Sequence, residues 1–238
     1  MRIALRRVRA ALIQDLRLQW RHGFWVAYAF VCLSYVLVLG LFEPPLRGLL
    51  TTLVVFSDPA VLGFFFIGGL MLLERGDGSL PGSLISPLRI DEWLVAKVSS
   101  LTLLAVLASV AIALPLAPDL RLGWLLAGVI PTSACFVLIG VIAGTRFTTV
   151  NRYLLGGGLA TLPLLVPMLA PLGVFDTPLF NLLPAGASLD MLGVGLGQRS
   201  PELSLAVRSL TVISVWTALA WAWARAWMRR YVLGPEGP

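Results

Sequence analysis

The side chains able to do chemistry are few in this sequence, and they are unevenly placed. It has one histidine, His22, and two cysteines, Cys32 and Cys135, each inside an apolar run. Nucleophilic catalysis needs a nucleophile, a base and an orienting group within reach of one another, and a lone histidine at the head of an apolar segment builds none. Paired cysteines and the H-E-x-x-H spacing of metal sites are absent, so both thiols are read as buried and no metal is expected. The phosphate-cradling G-x-x-x-x-G-K-[ST] loop is absent too, so no cofactor and no ATP site are expected in the chain itself. One acid stands among apolar neighbours: Asp58, in the triplet Ser57-Asp58-Pro59. A carboxylate at membrane depth is costly and by default a functional candidate. Its structural alternative is to cap a helix beginning at Pro59. The other polar residues gather from Glu74 to Lys97. That interval carries four acids (Glu74, Asp77, Asp91, Glu92) and three bases (Arg75, Arg89, Lys97) in 24 residues. A polar island of both signs between long apolar runs suits the grip of a soluble partner.

The rest of the chain sets the medium. Of its 238 residues, 58% are hydrophobic and 13% charged, against about 25% charged in a soluble domain. Several apolar runs reach the roughly 20 residues a helix needs to cross a bilayer. They are too continuous for barrel strands, which alternate. The fold class expected is an all-α integral membrane protein, one domain with six transmembrane helices at 24–42, 49–73, 95–116, 122–144, 153–174 and 205–227. Six spans put both termini on one side. Fourteen of the 18 Lys and Arg fall on that side or in the polar interval, which by the positive-inside rule is the cytoplasm. The net charge of +6 thus belongs to membrane orientation. Bases split by apolar spans form no nucleic-acid-binding domain. Arginine outnumbers lysine 17 to 1, which suggests a GC-rich genome and a bacterial cell membrane.

Local signals refine the layout. Leu5, Val8, Leu12 and Leu16 recur at helical spacing, so residues 2–22 read as an amphipathic helix in the interface, with arginines toward the headgroups. From Pro59 to Leu73 a helix is about 22 Å long, short for a hydrocarbon core. Either the second span therefore continues through the proline with a kink, or a short outer piece precedes it. The fifth span opens on Gly156-Gly157-Gly158 and carries Pro163, Pro167 and Pro171 at four-residue spacing, placing the prolines on one bent face. Residues 175–204 read as an external segment with short re-entrant helices at 179–183 and 187–192. Arg208 is placed to snorkel outward. Trp223 and Trp227 suit an interfacial belt, while Trp216 is a candidate for the substrate pathway.

A resemblance rests on two stretches. Glu74-Arg75-x-x-Gly78-Ser79-Leu80-x-x-x-Leu84-Ile85-Ser86-Pro87-Leu88, followed by Trp93-Leu94 and Lys97, resembles the region after the second span of ABC-2 type transporter permeases. The stretch Phe56-Ser57-Asp58-Pro59-Ala60-Val61-Leu62-Gly63-Phe64-Phe65-Phe66-Ile67-Gly68-Gly69 is similar to the fluoroquinolone-export permeases. Pro81-Gly82 departs from the pattern, where relatives carry better helix formers. The resemblance implies a type V exporter-like plan with a cytoplasmic coupling helix near 80–86. It implies an ATP-binding cassette ATPase subunit as partner, which binds the ATP, and a second permease copy or paralogue. Glu74, Leu80, Leu84, Ser86, Pro87, Arg89, Asp91 and Glu92 would couple to the ATPase. Asp58, Phe64, Phe65, Phe66, Pro163, Pro167 and Trp216 would belong to the substrate pathway between second and fifth spans. The function expected is export of small hydrophobic or amphipathic compounds, without an enzymatic site of the chain's own. A haem-exporter-like permease of cytochrome c maturation and a non-transport scaffold are the competing readings. The single histidine, on the cytoplasmic side, argues against the first.

Overall fold

The computed structural model describes residues 2–76, 89–147 and 149–233, with the side chains of 2–4, 75 and 231–233 left aside. The regular elements of the described residues are all helical, with no strand among them. The elements are α1 (Arg2–Arg21), α2 (Phe24–Gly40), α3 (Pro44–Ser57), α4 (Gly63–Gly76), α5 (Ile90–Leu116), α6 (Leu122–Arg146), a single turn α7 (Val150–Arg152), α8 (Gly158–Leu165), α9 (Pro184–Gly195) and α10 (Leu203–Leu233). Five helical stretches are long and apolar enough to cross a bilayer: Pro44–Glu74, Ile90–Leu116, Leu122–Arg146, Val150–Leu169 and Leu203–Arg230. The α1–α2 pair, bent by 66°, brings the number to six. The bend falls at Gly23, whose φ of 74° is left-handed backbone that glycine enters without steric cost.

The second span runs unbroken from Pro44, five residues ahead of the expected start. Its middle, Asp58–Leu62, is a π turn joining α3 to α4. Proline inside an α-helix has no N–H to give and its ring strikes the carbonyl four residues back. The wider π turn absorbs that misfit, and such bulges are where helices bend. Asp58 accordingly has helical φ −61° and ψ −61°, so the expected N-cap at Asp58 is not formed.

The third span begins at Ile90, not 95, which puts Asp91 and Glu92 in its first turn. The fifth is irregular: α7, a π turn at Tyr153–Gly157, α8, then a 3₁₀ turn at Val166–Leu169, where it ends short of 174. Pro163 is exposed and Pro167 buried, so the prolines do not share a face. A 3₁₀ turn closes in three residues, and four-residue spacing then overshoots the turn.

The core centres on α6. Its Gly140 and Gly144 let α4 come close. A Cβ on Gly140 would stand 2.8 Å from the Phe64 carbonyl oxygen, and one on Gly144 would stand 2.8 Å from Met71 Sδ. Small residues four apart are the usual means of bringing membrane helices together. The segment before the last span also enters the bundle. A 3₁₀ turn at Pro178–Leu182 leads into α9, which is almost wholly buried. Ser188 Oγ lies 2.5 Å from Thr132 Oγ1, ten residues or about 15 Å along α6. The other end of α9 lies at the start of α6, where Arg121 N–H donates to the Gly195 carbonyl at 2.7 Å. This element is therefore a re-entrant hairpin, longer than the two short helices expected from the sequence.

Candidate functional site

Lys97 is the chain's one lysine, and it is 2% exposed inside α5. A buried ammonium persists only when paired and hydrogen-bonded. Lys97 Nζ donates to Asp15 Oδ1 of α1 at 2.7 Å and to Glu74 Oε1 at the end of α4. Both carboxylates are buried. Around this centre sit two further pairs. Arg7 of α1 donates to Glu92 Oε1 at 2.7 Å, and Glu92 Oε2 accepts from the Arg89 backbone N–H at 3.0 Å, closing the start of α5. Arg225 of α10 meets Asp91 at 2.9 Å, both half-exposed. Four helices, α1, α4, α5 and α10, are thus tied by charge at the two stems of residues 77–88. Of the coupling residues expected from the sequence, Glu74, Arg89, Asp91 and Glu92 converge here. Asp91 and Glu92 pair with Arg225 and Arg7 of the same chain. Leu80, Leu84, Ser86 and Pro87 lie outside the described residues.

The residues expected along a substrate pathway divide between two places. Asp58 stands near mid-span, 1% exposed, and neither carboxylate oxygen has a hydrogen bond of full geometry. Tyr28 of α2 is its polar neighbour. Phe66 turns toward the same helix, its ring centroid 5.0 Å from that of Phe24 and 5.3 Å from that of Tyr28. Phe64 turns the opposite way and stacks on Tyr153 at 5.2 Å, 14° from parallel. The Tyr153 hydroxyl donates to the Phe64 carbonyl at 2.5 Å. Phe64 is 2% exposed, so its faces are occupied within the chain. Phe65 packs edge-on against both rings and is half-buried.

Pro167 and Trp216 belong to the second place, beside the re-entrant hairpin. Trp216 indole N–H donates to the Leu182 carbonyl at 2.8 Å. Pro167 lines a cavity of about 350 Å³ at that hairpin. Pro163, exposed on α8, joins neither group. Arg208, its side chain 47% exposed, is tied to Asp190 at 2.6 Å.

Asp15 was missed by sequence reasoning, and so was Lys97 as a site residue. The signal was available: Asp15 is the one acid ahead of Glu43, and Lys97 is a cation two turns inside an apolar helix. Cys32 and Cys135 are buried free thiols, as expected.

Among known proteins the chain is similar to fluoroquinolones export permease proteins from two strains of Mycobacterium tuberculosis. Each is 29% identical over 198 residues, covering 80% of this chain and 81% of the relative. The family model of the fluoroquinolones export permease proteins matches residues 6–236. That match takes in both the charge cluster at Lys97 and the re-entrant hairpin, and on it the chain belongs to the fluoroquinolones export permease protein family.

Proposed function

We propose that this chain is the permease subunit of an ATP-binding cassette exporter that moves small amphipathic compounds, fluoroquinolones among them, out of a bacterial cell. The work comes from a separate ATPase subunit, which binds the ATP. That subunit docks on residues 77–88, and both chain termini lie with it in the cytoplasm of the cell membrane. A second copy or a paralogue completes the pathway. The observation that carries this reading is the Lys97 centre. It binds both stems of the 77–88 interval to α1, so a push on the interval is passed to α1, α4 and α5 together. A simple turn between spans has no use for three buried charges, which are expensive to desolvate.

The test is recovery of the ATPase from membranes by the tagged, detergent-solubilised chain. Glu74 and Asp91 hold the chain itself together, so reversing them would confound docking with folding. Leu84→Asp changes the interval and leaves the charged residues of the Lys97 centre in place. Recovery by the native chain, with loss in Leu84→Asp at unchanged melting temperature, supports the docking site. Recovery of no ATPase by a folded native chain overturns the exporter reading.

A further inference from the structure

The re-entrant hairpin carries a charged cluster that the coupling mechanism does not use. Asp190, in the middle of α9, is 8% exposed. Its two oxygens accept from two arginines that come from different directions. Arg199 Nη1, from the loop after α9, donates to Oδ1, and Arg208 Nη2, from the second turn of α10, donates to Oδ2 at 2.6 Å. The loop is itself anchored, since Arg121 donates to the Arg199 carbonyl at 3.0 Å. Asp190 therefore holds two guanidinium groups side by side. Each has five N–H donors and gives Asp190 one. Both arginine side chains are about half exposed, and both line the cavity of about 350 Å³. Pro167, Pro171 and Phe180 contribute apolar surface to the same cavity, and Asp176 and Asn181 add polar groups to its lining. This volume lies within the roughly 300–1,000 Å³ of small-molecule sites, which combine apolar walls with a few convergent polar groups.

We infer that this cavity is a binding subsite for the carboxylate of an amphipathic aromatic compound, held by Arg199 and Arg208 with the ring against Pro167 and Phe180. Paired guanidinium groups present the planar, forked donors that a carboxylate accepts. Asp190 orients them and also competes with the ligand for them. The second acid, Asp176, gives a compound that also bears a basic amine a place for its positive end. The subsite sits at the end of the bundle away from residues 77–88, where an exported compound would leave. It deepens the exporter reading and rests on it only for the identity of the compound.

The probe is 4-fluorobenzoate, followed by fluorine NMR on the full chain in nanodiscs, beside the neutral isostere 4-fluorobenzamide. The native chain is expected to bind the carboxylate and not the amide. Arg208→Gln, which leaves Arg199 to pair Asp190, weakens the carboxylate about tenfold, the low end for one charge-assisted hydrogen bond, in a chain that still folds with a lowered melting temperature. Asp190→Asn changes affinity in the opposite direction, tightening it several-fold because the competing carboxylate is gone. Equal binding of acid and amide, or no effect of Arg208→Gln, overturns the subsite. So does loss of 4-fluorobenzoate binding when phosphatidylglycerol is added to the nanodisc, which would mark the arginines as a lipid-headgroup contact. Fluoroquinolone efflux from cells making the chain with its ATPase is measured in parallel. Absent efflux with Arg208-dependent binding sinks the drug reading and leaves the subsite. Present efflux with Arg208-independent binding does the reverse.

Discussion

At the scale of single residues, the same physics gives opposite roles to two buried charges. Lys97 has its two carboxylates at bonding distance, so its cost is offset within the fold. Breaking such a pair from one side is damaging, about 3–5 kcal/mol where the remaining charge stays buried. Lys97→Met is expected to lower stability on that scale, read as a fall in melting temperature of the purified chain. Arg225→Gln, at a pair whose side chains are 43% and 40% exposed, is expected to cost no more than about 1 kcal/mol. Equal effects from the two would remove the distinction between the buried centre and its rim. Asp58 has no ion pair among the described residues: it is buried to 1%, neither oxygen has a hydrogen bond of full geometry, and Tyr28 is its polar neighbour. A carboxylate left in that condition is an expense that folding alone does not explain. Asp58→Asn keeps the shape and removes the charge, so it is expected to leave stability unchanged or raised and to reduce export. Export at the native rate in the variant would reduce Asp58 to a packing residue.

Among the helices, the joints matter more than the regular stretches. The second span passes Pro59 through a π turn, and it rests on Tyr153 of the fifth through Gly68. A Cβ on Gly68 would stand 2.1 Å from the Tyr153 ring, and a buried aromatic with its hydroxyl already bonded to Phe64 has little room to yield. Gly68→Ala is expected to cost about 1–3 kcal/mol as overpacking, visible as a lower melting temperature. Tyr153→Phe, which removes only the hydrogen bond, is expected to cost about 1 kcal/mol. A Gly68→Ala chain that melts like the native one would mean that the two spans are not packed as described. These joints also show what the sequence discloses. The six apolar stretches and the alternation of polar ends are legible because hydropathy acts locally and the bilayer thickness is fixed. The π turn was half legible, since Pro59 announced a break without saying which kind. Helix starts were placed late at Pro44 and Ile90, because charged first-turn residues such as Asp91 and Glu92 look like loop. The pairing of Lys97 with Asp15, 82 positions away, was not legible. One sequence without relatives gives each charge but not its partner.

Among the described residues, apolar side chains stand exposed on several helices, and three of these stripes are not equivalent. On α2, Val26, Phe30, Leu33 and Leu37 are exposed, and on α10 Val207, Leu210, Val215 and Leu219. These are regular helices whose backbone bonds are made internally, which lipid tolerates. The third stripe, Leu155, Leu159 and Leu162, lies on the fifth span, where Pro163 is exposed in the helix. Proline has no N–H to offer the carbonyl four residues back, so the Leu159 carbonyl loses its α-helical donor on an outward face. A backbone group left open to lipid costs several kcal/mol, and irregular backbone at membrane depth is kept where protein or water covers it. The second span, by contrast, has Val55, Phe56, Ile67 and Leu70 wholly buried within the chain. If two permease copies pair, as proposed above, their contact is therefore expected on the fifth span more than on the second. The check is crosslinking in native membranes, in a chain whose Cys32 and Cys135 are replaced by alanine. A cysteine at Leu159 is expected to join two copies through a short bismaleimide, while one at Phe30 is not. Crosslinking at Phe30 and none at Leu159 would place the second copy on α2 and return the fifth span to lipid.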